Sequence, residues 1–176
     1  MKLNVHKLPF LSNWHKKKKS KEEYSQKTTL LKHHNGSTRK VLVIEEEFPY
    51  PRGQLIISRV NLKGDIIHVN EAFITVSGYS KEELIGQSQS IIRHPDMPKT
   101  IFKQLWETIT HGDKWFGYIK NLRKDGKYYW VYATIVPNYR DGKIIGYTAV
   151  RREAAPEKIT EYDEIYRIMR QQENKA

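Results

Sequence analysis

Three tryptophans and two asparagines are the residues in this sequence best suited to hold a flat heteroaromatic ligand. Trp106, Trp115 and Trp130 offer broad apolar ring faces, and Asn70 and Asn121 offer amides that donate and accept at once. Arg93, His94 and Asp96 sit together in the proline-bounded run Ile92-Arg93-His94-Pro95-Asp96-Met97-Pro98. Each of these residues also has a plain structural role open to it. Trp106 at helical spacing fills a core, Trp115 and Trp130 fill a sheet face, and Asn70 and Asp96 cap helices. Arg93 pairs with an acid across the domain, and a lone histidine such as His94 packs as a buried side chain. Asn121 carries the sharper signal, because an amide pointing inward from an otherwise apolar strand needs a partner.

Other chemistries are excluded. The 176 residues contain no cysteine, so there is no disulfide framework, thiolate zinc site, iron–sulfur cluster or cysteine nucleophile. No nucleoside-triphosphate loop, paired-carboxylate constellation or Ser/His/Asp arrangement stands out, and the expectation is a protein that is not an enzyme. The net charge of +11 and pI near 9.7 invite a nucleic-acid reading. The first 40 residues hold eleven Lys and Arg against two acids, whereas residues 41–176 hold twenty against eighteen. The excess therefore belongs to a basic tail containing Lys16–Lys19, with only Trp14 and Tyr24 as interleaved aromatics. A solvated tail is favoured there over one that binds nucleic acid or an anionic membrane. No window reaches the roughly 18–20 apolar residues of a membrane span, and no apolar leader opens the chain. A cytoplasmic protein is expected.

The elements that must position the candidate residues follow from pattern. Residues 1–40 show no sustained period, Leu42-Val43-Ile44 is a short apolar cluster with an acidic stop, and 1–47 reads as a flexible tail with short helical turns allowed around Lys21–Leu31. Leu55–Val60 and Ile66–Val69, joined by Asn61-Leu62-Lys63-Gly64-Asp65, form a hairpin. Asn70 caps a helix over Glu71–Ser77 that Gly78 ends, and Ser80 with Glu83 forms a capping box for a second short helix. Lys99–His111 is the long helix, with Ile101, Phe102, Leu105, Trp106 and Ile109 on one face. Three strands follow at 115–124, 127–136 and 143–152, joined by Asp125-Gly126 and Asp141-Gly142. Pro156–Gln172 carries a stripe of Ile159, Tyr162, Ile165, Tyr166 and Met169, giving a helix docked on the sheet or on a partner. The class is α+β: a five-stranded antiparallel sheet whose one face is covered by short helices. Helices that cannot close-pack leave a ligand cavity beneath them.

This order, with His68-Val69-Asn70-Glu71-Ala72-Phe73, Gly78-Tyr79-Ser80-Lys81-Glu82-Glu83-Leu84-Ile85-Gly86 and Lys120-Asn121-Leu122-Arg123-Lys124-Asp125-Gly126, resembles the PAS family over about Gln54 to Arg152. The run Ile92–Lys99, continuing through Phe102 to Trp106 and with Trp115-Phe116-Gly117 and Tyr129-Trp130-Val131, narrows the resemblance. It is similar to the flavin-binding PAS domain of bacterial aerotaxis receptors and to the stand-alone PAS subunits of bipartite energy-taxis systems. A PAS domain over 48–152 is expected, between the 1–47 tail and a C-terminal helix over 153–176.

The resemblance implies FAD, with positions Asn70, Arg93, His94, Asp96, Trp106 and Asn121 associated with it, Arg151 as a weaker carry-over, and Trp115 as a further wall. The dinucleotide tail is anionic, so Arg93, His94 and the amino end of the long helix suit it, and Asp96 suits a ribose hydroxyl or a cap. Haem is the rival cofactor, with His94 and His111 as its only helical-side ligands. A cysteinyl–flavin photoadduct is excluded. The expected function is redox and energy sensing: a change at the flavin turns the Asn121 amide, and the sheet passes the change on. No chemoreceptor signalling segment follows the domain, so the expected reader is a separate membrane chemoreceptor or other signalling protein. A homodimer is also open, and membrane contact is expected only through that partner or the tail. The alternative is a PAS interaction or dimerisation module without flavin.

Overall fold

Two tight turns fix the long meander at the centre of the molecule. The computed structural model describes residues 25–32 and 38–175. Strands β5 (Trp115–Leu122), β6 (Tyr128–Arg140) and β7 (Lys143–Glu153) run antiparallel in register, with Trp115 opposite Ile135 and Ala133 opposite Arg151. The β6–β7 turn has positive φ at both central residues, Asp141 (50°) and Gly142 (73°), the mirror-image turn whose twist matches the strands it joins. At the β5–β6 turn the Asp125 carboxylate accepts from the Lys127 N–H at 3.1 Å and from the Arg123 guanidinium. β3 (Ile56–Val60) and β4 (Ile66–Val69) form the other hairpin, and β3 docks on β7, giving the order β4-β3-β7-β6-β5.

Between the two hairpins the chain makes α1 (Glu71–Ser77), α2 (Lys81–Leu84), a single 3-10 turn (Gln89–Ile92) and α3 (Lys99–Thr110). The Asn70 side chain accepts from Phe73 N–H and the Ser80–Glu83 capping box closes on both sides. These elements cover one face of the sheet, where Tyr129, Val131, Ala133 and Phe73 are buried. The opposite face carries Tyr118, Trp130 and Tyr132, and α4 (Pro156–Glu173) lies on it. Tyr166 stacks on Trp130 with ring centroids 6.1 Å apart and donates its hydroxyl to the Tyr118 carbonyl at 2.6 Å. The choice left open for the C-terminal stripe is thus decided in favour of the sheet, except that Ile165 faces out and is 39% exposed.

Residues 26–44 correct the expectation of an unstructured tail. β1 (Gln26–Lys32) and β2 (Thr38–Ile44) form an antiparallel hairpin. Its buried residues Leu31, Val41 and Val43 cluster on Leu122, and Ile44 and Phe48 donate backbone N–H groups to Gly126 and Tyr128. These strands owe their order to contacts with the β5–β6 turn more than 80 residues on, so a local period is not what holds them. The basic run Lys16–Lys19 and Trp14 lie outside the described residues.

One close approach is built into the sheet. At Gly146 (φ 154°) a Cβ would stand 2.3 Å from the carbonyl oxygen of Val60, a backbone atom that cannot swing away. Gly146→Ala is therefore expected to destabilise the domain by about 1–3 kcal/mol, read as a lower urea midpoint with an unchanged m-value.

Candidate functional site

A cavity of about 420 Å³ lies between α3 and the inner face of the sheet. It falls within the size range of small-molecule and cofactor sites. Its walls are apolar. Leu105, Trp106 and Ile109 come from one face of α3, and Ile119, Ile135 and Tyr147 rise from three strands opposite. The Trp106 indole meets Tyr147 edge-on at 5.6 Å and covers Gly64, where a Cβ would come within 3.1 Å of it. Helical spacing puts Leu105, Trp106 and Ile109 together, and strand alternation puts Ile119 and Asn121 on the cavity side of β5.

One end of the cavity is polar and incompletely paired. The Ser58 hydroxyl donates to Gln89 Oε1 at 3.1 Å and accepts from the Arg151 guanidinium at 3.0 Å. Beyond these bonds Gln89 Nε2, Asn121 Nδ2 and Arg151 Nε have no partner, although Asn121 and Arg151 are only 4% and 3% exposed. Burial depresses the Arg151 pKa. Unpaired buried donors cost free energy unless a ligand supplies acceptors. At the mouth stand four cations, Lys63, Lys99, Lys103 and Arg93, the last lying 4.0 Å over the Phe102 ring.

Donors at one end, flat apolar walls and a cationic rim fit a flavin. Its ring edge carries acceptors, its ring is otherwise apolar, and its tail is phosphorylated. Haem fits less well, since neither His94 nor His111 lines the cavity.

The structure divides the sequence-predicted residues. Arg93, Trp106, Asn121 and Arg151 line the cavity. Asn70 does not: its carboxamide accepts from Ile57 and Phe73 N–H and donates to the Leu55 carbonyl, tying α1 to β3. Trp115 lies over Gly117, where a Cβ would be 2.3 Å from the indole, and fills core beside the cavity. His94 and Asp96 lie away from the lining because the run from Arg93 to Met97 wraps around the edge strand β5. Arg93 bridges Asn121, while the Lys120 N–H reaches Met97 Sδ at 3.3 Å. The amino end of α3 is already capped. Glu173 of α4 accepts from the N–H groups of Lys99 (3.0 Å) and Thr100 (2.8 Å) and from the Thr100 hydroxyl (2.7 Å).

Sequence reasoning missed Ser58, Gln89, Lys99, Lys103 and Glu173. Ser58 is a polar residue inside the otherwise apolar start of β3, and Lys99, Lys103 and Trp106 share helical spacing. Both were visible signals. Glu173 gave none, being 73 residues from Thr100 in sequence.

Across the sheet Lys120 is buried at the centre of a charge cluster. Its ammonium lies 3.2 Å from Asp96, 3.9 Å from Glu45 and Asp163, and 4.3 Å from the Tyr128 ring centroid. Burial alone would raise the Asp96 pKa, but the cations Lys120, Arg170 and Lys27 outweigh it and hold the carboxyl below its usual range. His94 is fully buried, with Nδ1 accepting from the Asp96 N–H at 3.0 Å. Burial first, and then Lys120, push its pKa well below the ordinary value.

Comparison with known proteins agrees with this architecture. The sequence profile described as the PAS fold matches residues 66–151. The aerotaxis receptor of Escherichia coli K12 is 40% identical over 127 residues, which is 72% of this chain and 25% of that one. A nitrogen fixation regulatory protein of Klebsiella oxytoca is 29% identical over 103 residues, 58% of this chain and 21% of its own. The chain thus spans between about a fifth and a quarter of these relatives. Among solved structures, the dark state of the blue-light photoreceptor Aureochrome1 LOV superposes with TM-score 0.53 at 20% identity, over 68% of this chain and 85% of that one, a likeness of fold alone.

The buried neutral His94 makes stability pH-dependent. Its folded pKa is below the unfolded value of 6.5, so the unfolded chain takes up the proton first as pH falls, and stability present above 6.5 is lost below it. Between pH 6.5 and about 3 this contributes a slope of up to ~1.4 kcal/mol per pH unit. His94→Gln is expected to flatten that slope by up to the same amount, measured as urea unfolding free energy against pH.

Proposed function

The chain belongs to the PAS family through residues 66–151, and on that footing we propose that its cavity holds a flavin, FAD in the first instance, and that the domain senses redox state for a separate signalling partner. The observation that carries this reading is the set of unpartnered, buried N–H donors from Gln89, Asn121 and Arg151 at one end of an apolar cavity. A ligand with acceptors along one edge satisfies all three. Trp106, Leu105 and Ile109 hold its ring against Ile119 and Ile135, and Lys63, Lys99, Lys103 and Arg93 suit the charge of a pyrophosphate.

When bound, a flavin supplies reversible electron uptake coupled to protonation at one ring edge. The chain's own part is to register that change. Asn121 carries a donor and an acceptor on one pivot, so a half-turn exchanges what it offers. Its neighbour Lys120 faces the other way, into contact with Asp96 of the 93–97 segment, Glu45 beside β2 and Asp163 of α4. A shift of β5 at Asn121 thereby reaches three elements on the outer face, which is where a partner would read it. Similarity to the aerotaxis receptor favours a chemoreceptor-type partner for that surface. The reading is of a sensor and not of an enzyme, acting in the cytoplasm. Among the described residues no helix is long and apolar enough to cross a membrane.

Freshly purified protein is expected to be yellow, with flavin bands that bleach on chemical reduction, and to release FAD on heat denaturation. Trp106→Ala and Asn121→Ala should each weaken FAD binding by about tenfold or more while leaving the circular dichroism of the fold in place. Colourless protein that takes up neither FAD nor FMN on reconstitution overturns the reading.

A further inference from the structure

The guanidinium of Arg151 is a buried charge with nothing of opposite sign beside it. Three Lys and Arg side chains are buried among the described residues, and two of them have a carboxylate: Lys120 lies 3.2 Å from Asp96, and Arg123 lies 3.1 Å from Asp125. Arg151, the third, forms no such pair among the described residues, although it is only 3% exposed. Its Nη1 donates to the Ser58 hydroxyl at 3.0 Å, its Cζ lies 5.5 Å from the Phe73 ring centroid, and its Nε has no partner. The cavity brings no acid to it either. Arg93, Lys63, Lys99 and Lys103 line the cavity with Arg151, and no Asp or Glu does. The titratable groups that act on Arg151 are Tyr129 and Tyr50, and burial pushes both their pKa values up, so they carry no charge near neutral pH. An ion taken out of water without a partner is costly, and this one faces a ligand cavity.

We propose that Arg151 is the counter-ion for a negative charge at the inner end of the cavity's ligand, and that it tilts the site toward the anionic state of that ligand. The proposal rests on the flavin reading for the ligand's identity and goes beyond it in naming the charge. Hydrogen bonding alone would accept a neutral ligand. Gln89 Nε2, Asn121 Nδ2 and Arg151 Nε are donors that any carbonyl satisfies. Only a net negative charge also offsets the desolvation of the guanidinium. Among buried walls that attraction is stronger than at the mouth, where Lys63, Lys99 and Lys103 are exposed and screened by water. For a flavin the anionic state is the reduced one. Two electrons from a low-potential donor and one proton from water, bound at N5, leave one negative charge along the N1–C2 carbonyl edge. A cation that favours this state makes reduction and binding support one another through the same interaction free energy.

The test uses the full chain as wild type, Arg151→Lys and Arg151→Gln, with Arg151→Met as a second neutral variant should the amide one fail to fold. FAD is bound oxidised and after reduction with dithionite, and the ratio of reduced to oxidised affinity is the first readout. The second uses ligand-free protein with benzoate and benzamide, two probes of one shape that differ in charge, read as the rise in urea midpoint at equal concentration. The counter-ion role predicts that Arg151→Gln lowers the affinity ratio about tenfold, which for a two-electron couple is a midpoint potential about 30 mV more negative. Arg151→Lys, which keeps the charge, should stay within about threefold of wild type. If the neutral variant binds FAD with the wild-type ratio, or if Arg151→Lys loses as much as Arg151→Gln, the counter-ion role is refuted. Where the neutral variants bind FAD in neither state, or no protein binds it, benzoate and benzamide decide. A preference for benzoate in wild type and Arg151→Lys that Arg151→Gln lacks upholds the role, and its absence refutes it. The flavin reading stands or falls separately, on whether the wild type binds flavin at all.

Discussion

The alternation of side chains along β5 is the constraint on which the rest of this molecule turns. Successive residues of a strand point to opposite faces, so Asn121 enters the cavity because Lys120 enters the outer charge cluster, and neither can be moved without the other. The edge position of β5 adds a second tie. Its free side takes up the segment from Arg93 to Met97, with Arg93 bridging Asn121 and the Lys120 N–H meeting Met97. One strand edge thus joins the lining of the cavity to the surface on which α4 and the β1–β2 hairpin rest.

Lys120 is an expensive residue to place there. An ammonium at 6% exposure is tolerable only with its acids close, and taking one partner from a buried pair costs about 3–5 kcal/mol. The nearest of those acids, Asp96, belongs to the segment around the cavity edge, while Glu45 follows β2 and Asp163 belongs to α4. Well-packed aliphatic side chains in place of a buried ion pair are often no less stable. The charge cluster instead makes the relative position of three elements depend on one side chain, a specificity of arrangement that an apolar contact does not give. The cavity shows the same exchange of stability for function. Unpaired donors on Gln89, Asn121 and Arg151 are what a packed core would eliminate, and rules of local consistency fail where a site is.

Much of this was legible in sequence, for reasons that differ between elements. The turns at Asp125-Gly126 and Asp141-Gly142 are specified by residues that adopt positive φ, and the structure has Gly126 at 92° and Asp141 at 50°. Asn70, Ser80 and Glu83 specify helix starts by hydrogen bonds no more than three residues long on their own helices, so reading them required no knowledge of the fold. Trp106 was legible on the apolar face of its helix because the helical period selects a face, and Asn121 because an amide in an apolar strand needs a partner wherever it turns inward. Where the deciding contact is distant, legibility ends. Val41 and Val43 become core only because Leu122 is beneath them. Asp96 was placed with the ligand or at a helix cap by its neighbours in sequence. Its real partner, Lys120, is 24 residues away, on the opposite side of the strand edge.

The two attachments of α4 differ in physical kind, and the difference matters for how a signal could leave the domain. Tyr162 and Tyr166 pack on Tyr118 and Trp130 through ring faces, a contact that does not respond to charge at the cavity mouth. Arg170 and Glu173 hold by hydrogen bonds to the Asp96 carbonyl and to the amino end of α3, contacts made by charged groups and so open to a change of charge nearby. A full reversal of a two-state equilibrium from 1:99 to 99:1 takes about 5.5 kcal/mol of differential binding. Exchanging one partly solvated set of hydrogen bonds for another supplies only part of that, since each charge-assisted bond is worth about 1.5–3 kcal/mol and the exchange yields the difference. The aromatic contacts thus fix the body of α4, and the hydrogen-bonded last turn is the part of it that charge can act on. The exposed Ile165 and Ile168 on the same helix would then be presented to a partner on a segment whose far end is held by its rings.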